Sequence, residues 1–135
     1  VASSSSLKEI IMLSPTEGFK NKECIFCKIT AGTLPSEKVY ENEHVFAFRD
    51  ISAQAPVHVL IIPKKHIVDV LDVTGDDSAV FQHLFLAAQQ IAAKLGIAGS
   101  GFRTVFNSGD HACQTMYHLH LHLLGGTQMG GSLVG

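Results

Sequence analysis

The segment MYHLHLHLLGG, Met116 to Gly126, sets three histidines in strict alternation with leucines. Side chains alternate across a β-strand. As a strand, His118, His120 and His122 share one face, and Leu119, Leu121 and Leu123 share the other. The leucine face needs an apolar partner; the histidine face is left for a cleft or for solvent. The outer two histidines of such a strand lie about 13 Å apart, so one small substrate centre cannot touch all three. His120, in the middle, has the best position for direct chemistry. The flanking pair would orient, protonate or bind something else. Near neutral pH an imidazole keeps a large neutral fraction, so it can attack phosphorus or pass protons. Two plainer readings stand beside this one: an amphipathic strand whose polar face is histidine by chance, and a metal site made of two neighbouring histidines. Three in strict alternation favour catalysis.

The rest of the chain supplies the partner for the leucine face. From Asp76 to Leu95 the apolar residues Val80, Phe81, Leu84, Phe85, Ala88, Ile91, Ala92 and Leu95 recur at three- and four-residue steps. That spacing predicts an amphipathic helix, capped by Asp76 or Asp77 and stopped at Gly96. A shorter helix is expected around Ile67 to Leu71. Lys38–Glu41 and His44–Arg49 read as two strands joined through Asn42 and Glu43 as a hairpin. His58–Ile62 reads as a third strand stopped by Pro63, Phe102–Asn107 as a fourth, and Met116–Leu124 as a fifth. With 135 residues the chain is one domain, read as 21–135 behind a loose serine-rich extension over 1–20. That extension lacks the apolar core of a signal peptide. No apolar stretch is long enough to span a bilayer, and a net charge of −2 gives no basic field for a nucleic-acid backbone. The expectation is therefore no membrane and no nucleic-acid partner. Cys24, Cys27 and Cys113 are an odd count, against a secreted disulfide framework and for a reducing compartment. The compartment expected is the cytoplasm, with the nucleus as a second. Cys24-x-x-Cys27 reads either as half a zinc site or as two ordinary small apolar residues.

Several residues near the histidines suit phosphate and sugar chemistry. Gln114 and Thr115, just before the fifth strand, offer neutral hydrogen bonds to phosphate oxygens, as does Asn107 at the end of the fourth. Asp50 follows the apolar run Val45–Phe48, where its carboxylate can accept from a vicinal diol such as ribose. Taken alone, Asp50 is equally a turn residue, and Gln114 and Thr115 equally face water.

The run His118 to Leu124 matches the His-x-His-x-His-x-x motif, with apolar x, of the histidine triad superfamily. The resemblance spans roughly Glu23 to Met129 and takes in Ile25-Phe26, Phe48–Ile51, Ile62–His66, Asn107–Gly109 and Gly125–Met129. The Leu-Gly-Gly-x-Gln-Met ending resembles the nucleotide-binding branch, the purine nucleoside phosphoramidases. That resemblance implies an α+β subunit with a five-stranded antiparallel sheet, one long helix and one short one. It also implies a two-fold dimer whose sheets join into ten strands. It implies hydrolysis of the P–N bond of purine nucleoside phosphoramidates, such as adenosine phosphoramidate or AMP-lysine, through a nucleotidyl-histidine intermediate on His120. By the same resemblance His118, His122 and His58 complete the catalytic group, and Asp50 accepts from the ribose. Phe26, Ile29, Leu34, Phe48, Ile51 and Leu60 wall the base and sugar, and Asn107, Gln114 and Thr115 join His122 around the α-phosphate. An apolar base slot implies that adenine and guanine are both accepted. No cofactor is needed for that chemistry.

The chain departs from the best-known members in three places. Thr115 stands where they have serine, keeping the hydroxyl with a stiffer rotamer. The end Gly130–Gly135 replaces the aromatic-and-proline tail of many close relatives, which leaves leaving-group selectivity open. The cysteine pair is present, whereas the best-known animal members lack it. Some histidine triad proteins hold a structural zinc on such a set, which here would be Cys24, Cys27, His66 and His118. The alternative is two reduced cysteines at the pocket edge. Competing functions are a dinucleoside polyphosphate hydrolase or nucleotidyl transferase, and a nucleotide-responsive binding module with protein partners. The expected dimer surface is Phe81 to Leu95 with Phe102 to Phe106. His44, His83 and His111 show no clear function.

Overall fold

The computed structural model describes residues 24–131. The expected extension over 1–20 lies outside them. Helix α1 (Ile25–Thr30) opens the described chain, with Cys24 as its N-cap, the sulfur accepting from the backbone N–H of Cys27. Six residues are too few for a periodicity to show, which is why this helix was not legible in the sequence. Strands β1 (Lys38–Glu41) and β2 (Val45–Arg49) form the expected hairpin. The Asn42 side-chain oxygen closes its turn by accepting from the backbone N–H groups of His44 and Val45. Strand β3 (Val57–Pro63) follows, then helix α2 (Ser78–Lys94), β4 (Phe102–Val105) and β5 (Leu121–Gly125). The sheet is antiparallel throughout, in the order β1-β2-β3-β5-β4.

The expected short helix at Ile67–Leu71 is corrected to one 3₁₀ turn, Val70–Asp72. Two carboxylates draw the backbone away from a regular helix. Asp69 takes the N–H of Leu71 and Asp72 takes that of Val68. Helix α2 fits the expected span, and Gly96 ends it with φ +76°, a conformation open to glycine. Asp77 stands at its N-cap position but does not cap it with its side chain. Instead the carboxylate accepts from Thr74 and pairs with Lys65, pinning the segment before α2 to the end of β3.

The fifth strand begins later than the alternation suggests, at Leu121 rather than Met116. The ladder with β3 runs from Val57 opposite Gly125 to Ile61 opposite Leu121 and ends near Pro63, which has no N–H to donate. Residues 116–120 lie outside that ladder, with bends at 116–118. Leu119 is held instead by its N–H to the carbonyl of Ile67, and the His118 ring bonds the carbonyl of Pro63.

The sheet separates two apolar layers. Val45, Ala47, Val59, Ile61, Leu119, Leu121 and Leu123 pack under Leu84, Ala88 and Ile91 of α2. The opposite face carries Phe46, Phe48, Leu60 and Ile62, covered by Cys24, Phe26 and Ile29 at α1. Register explains the division: Leu60 lies opposite both Phe48 and His122, so all three share the α1 face. Among the described residues no helix is long and apolar enough to cross a membrane.

Candidate active site

On the α1 face a cleft of about 790 Å³ opens between α1, the end of β2 and the histidine segment. Its apolar lining is Phe26, Ile29, Leu34, Phe48, Ile51 and Leu60; its polar lining includes Asp50, Thr115, His120 and His122. Ten of the residues singled out in the sequence thus meet around one space. Ile51 stands fully exposed at the mouth, whereas Phe26, Phe48 and Leu60 are buried beneath the sheet-side wall. Ile25, Ser36, Met116 and the Glu37–Arg49 ion pair, 2.7 Å apart, also line the cleft. Nothing in the local sequence marks Ser36, Glu37 or Arg49, which reach the cleft through the β1–β2 pairing.

His120 is buried, with its ring edge-on to Phe26 at 5.3 Å between centroids. Its Nδ1 lies 2.7 Å from the carbonyl oxygen of His118. A carbonyl only accepts, so Nδ1 carries the proton and Nε2 keeps a lone pair. Burial holds the His120 pKa below the ordinary imidazole value, the His118 carbonyl and the Asp50 charge opposing only in part. The ring is therefore neutral at pH 7, with a bare Nε2. That is a nucleophile's state.

His122, whose ring centroid is 4.9 Å from that of His120, is also neutral. Burial, then the nearby His120 and His58, lower its pKa to about 4. Its Nδ1 lies 2.9 Å from His58 Nε2, and its Nε2 lies 3.5 Å from the Asn107 side-chain nitrogen. His58 is buried on β3 and its pKa is lowered by burial, against the pull of Asp50. Asp50 Oδ2 stands 3.4 Å from His58 Nε2, while Oδ1 accepts from the Ser52 N–H. The carboxylate thus borders both the cleft and the histidine pair.

Gln114 does not line the cleft. It is buried, its amide donating to the carbonyls of Val68 and Met116 and its oxygen accepting from the Gly109 N–H. Those bonds fix the loop that delivers Thr115 and the histidine segment. Asn107 is brought to His122 without lining the cleft itself.

His118 is fully buried and does not line the cleft. Its Nε2 donates to the Pro63 carbonyl at 2.8 Å, which leaves Nδ1 as the acceptor. Burial drives its pKa to about 4. Nδ1 lies 3.2 Å from the Cys24 sulfur and 3.5 Å from the Cys27 sulfur, and the Cys27 sulfur lies 3.3 Å from His66 Nδ1. The four donor atoms all fall within 4.8 Å of one another. A sulfur–nitrogen edge of a tetrahedral zinc site is about 3.5 Å long, so two thiolates and two imidazoles in this arrangement fit such an ion. Asp50, His58 and His122 make a second close group, but there the ring nitrogens already bond to each other.

Comparison with known proteins agrees with this geometry. The model of the HIT domain matches residues 31–129. The purine nucleoside phosphoramidase of Escherichia coli is 44% identical over 112 residues, covering 83% of this chain and 94% of that one. An uncharacterised HIT-like protein of Synechococcus elongatus is 45% identical over 109 residues, covering 81% of this chain and 95% of that one. The crystal structure of a HIT family hydrolase from Legionella pneumophila superposes with a TM-score of 0.79 at 47% identity, covering 81% of this chain and 97% of that one. A two-faced five-stranded sheet, a buried imidazole with a bare nitrogen in an apolar cleft, and a domain match across most of the chain lead to one conclusion: this protein belongs to the HIT domain family.

Proposed function

We propose that the protein hydrolyses the P–N bond of purine nucleoside phosphoramidates, such as adenosine phosphoramidate or AMP-lysine. The observation that carries this is the neutral His120 with Nδ1 bound to the His118 carbonyl and Nε2 bare in the cleft. In this reading Nε2 attacks the α-phosphorus, the P–N bond breaks, and the amine leaves with a proton. Water then cleaves the nucleotidyl-histidine bond, giving the nucleoside monophosphate and restoring the imidazole. Asp50 receives the ribose hydroxyls, the Phe26, Ile29 and Leu60 walls hold the base, and Thr115 and His122 face the phosphate oxygens. The activity for which the E. coli relative is named supports the reaction class. So does the lining: its one basic side chain other than imidazole, Arg49, is tied to Glu37, which suits a monophosphate group better than a polyphosphate.

The reading extends to three further features. Cys24, Cys27, His66 and His118 would hold a zinc ion, which at a closed site supplies structure and not a reactive position. The exposed Phe85, Leu86 and Phe102, together on α2 and β4, would meet the same patch of a second copy. The compartment that fits the thiols is the cytoplasm, with the nucleus also open to it.

The test is release of ammonia from adenosine phosphoramidate by the wild type and by His120→Ala. Turnover that disappears with His120 is expected. A folded wild type that binds AMP but releases no ammonia would overturn the reading, and hydrolysis of dinucleoside polyphosphates instead would replace it.

A further inference from the structure

Two imidazoles two residues apart line the same cleft, and in the proposed two-step transfer they take opposite hydrogen-bonding senses. One must accept or attack; the other must donate. Imidazole tautomers differ little in energy unless a neighbour fixes them. For His120 the neighbour is its own segment, the His118 carbonyl. For His122 it lies farther off, in the loop between β2 and β3.

The backbone nitrogen of Gln54 lies 3.0 Å from Nδ1 of His58. A backbone N–H can only donate, so His58 Nδ1 must be the acceptor, and neutral His58 carries its proton on Nε2. That proton has His122 Nδ1 at 2.9 Å and Asp50 Oδ2 at 3.4 Å before it. Bonding the nearer atom makes His122 Nδ1 an acceptor in turn, and neutral His122 then carries its proton on Nε2, the nitrogen beside Asn107. The opposite chain would set two donors against each other at Gln54 and His58. The Asn107 carboxamide, 3.5 Å from His122 Nε2, does not oppose this assignment. An amide can turn its oxygen to a donor, whereas the Gln54 N–H has no such freedom.

We propose that the backbone N–H of Gln54 is a positioning group: through His58 it holds His122 as a hydrogen-bond donor at Nε2, on a ring 4.9 Å from that of His120. The loop is built to hold that N–H in place. Asp50 N–H bonds the His58 carbonyl at 2.9 Å, Asp50 Oδ1 takes the Ser52 N–H at 2.9 Å, and the Gln54 side chain donates to the Ser52 carbonyl at 2.9 Å. Asp50 therefore both begins the loop and borders the cleft, so a ligand that bonds its carboxylate acts on the same relay. The tautomer assignment stands on geometry alone; its effect on turnover rests on the phosphoramidase reading.

The first test is ¹⁵N-edited NMR of the histidine rings in the full chain at neutral pH. His58 and His122 are expected as Nε2–H tautomers and His120 as Nδ1–H. A protonated Nδ1 on His58 overturns the proposal whether or not the protein has any phosphoramidase activity. The second test replaces the Gln54 amide by an ester, which removes only the N–H. The expected result is mixed tautomers at His58 and His122 and a fall of about tenfold or more in kcat on adenosine phosphoramidate, with KM little changed. Unchanged tautomers and unchanged kcat would overturn it. Rescue gives the third arm. In His58→Gln the side-chain NH₂ donates without help from residue 54, so the ester should then cause no further loss. An equal further loss would mean that the ester acts only by disturbing the loop.

Discussion

At the scale of single residues, two imidazoles of one segment are given different hydrogen-bond partners by the fold around them. Each prediction here follows from a named contact. In the proposed reaction His120 must be neutral to attack, and its pKa is held below the ordinary 6.5 by burial. The acid limb of kcat/KM should therefore fall below pH 6.5 and the profile should be flat from 7 to 8; a limb centred above 7 would contradict it. The closing glycines of the histidine segment have a packing reason. A Cβ on Gly125 would lie 2.8 Å from Ile97 Cδ1 and 3.2 Å from its Cβ. Gly126 sits at φ +87° with Pro56 Cβ 3.1 Å from where its own Cβ would be. Gly125→Ala should cost about 1–3 kcal/mol in urea unfolding, because Ile97 is buried and has little room to move. A cost near zero would show that Ile97 yields freely.

At the scale of elements, α1 is the shorter of the two α-helices among the described residues and the one that shapes the cleft. It presents Phe26 to Phe48 at 5.5 Å, to His120 at 5.3 Å and to His118 at 5.9 Å between ring centroids. Phe26→Ala should therefore raise the KM for a nucleoside phosphoramidate while also lowering stability by about 3 kcal/mol. A change in stability with KM untouched would remove α1 from the binding wall. Helix α2 does the opposite work, filling the far face of the sheet without touching the cleft. Ile91→Ala, at a fully buried position, should lower stability by about 2–5 kcal/mol and leave KM as it was. The pair of variants separates the two layers that the sheet divides.

At the scale of the whole molecule, buried neutral histidines make the fold sensitive to acid. The unfolded chain takes up a proton at His122 near pH 6.5, the folded one only near pH 4. Between those values the unfolded state binds more protons, so stability should fall as pH drops from about 6.5 to about 4. A melting temperature flat across that window would contradict the burial. Much of this molecule was legible in its sequence. The alternation of His118, His120 and His122 with leucines gave their two faces, the three- and four-residue steps gave α2, and Asn42 gave the hairpin, since each depends on the period of one element. Ten of the site residues named from resemblance and motif line one cleft, whereas His58, Asn107, Gln114 and His118 do not line it. What stayed illegible depends on contacts between segments distant along the chain: α1 over the sheet, the late start of β5 beside Pro63, the Glu37–Arg49 pair, the inward turn of Gln114, and the Gln54 N–H behind His58. The sequence by itself determined which side chains share a face, because local periodicity dictates that. Only the tertiary structure decided which ring nitrogen bears each proton, because a tautomer is set by the single donor or acceptor that folding brings within about 3 Å.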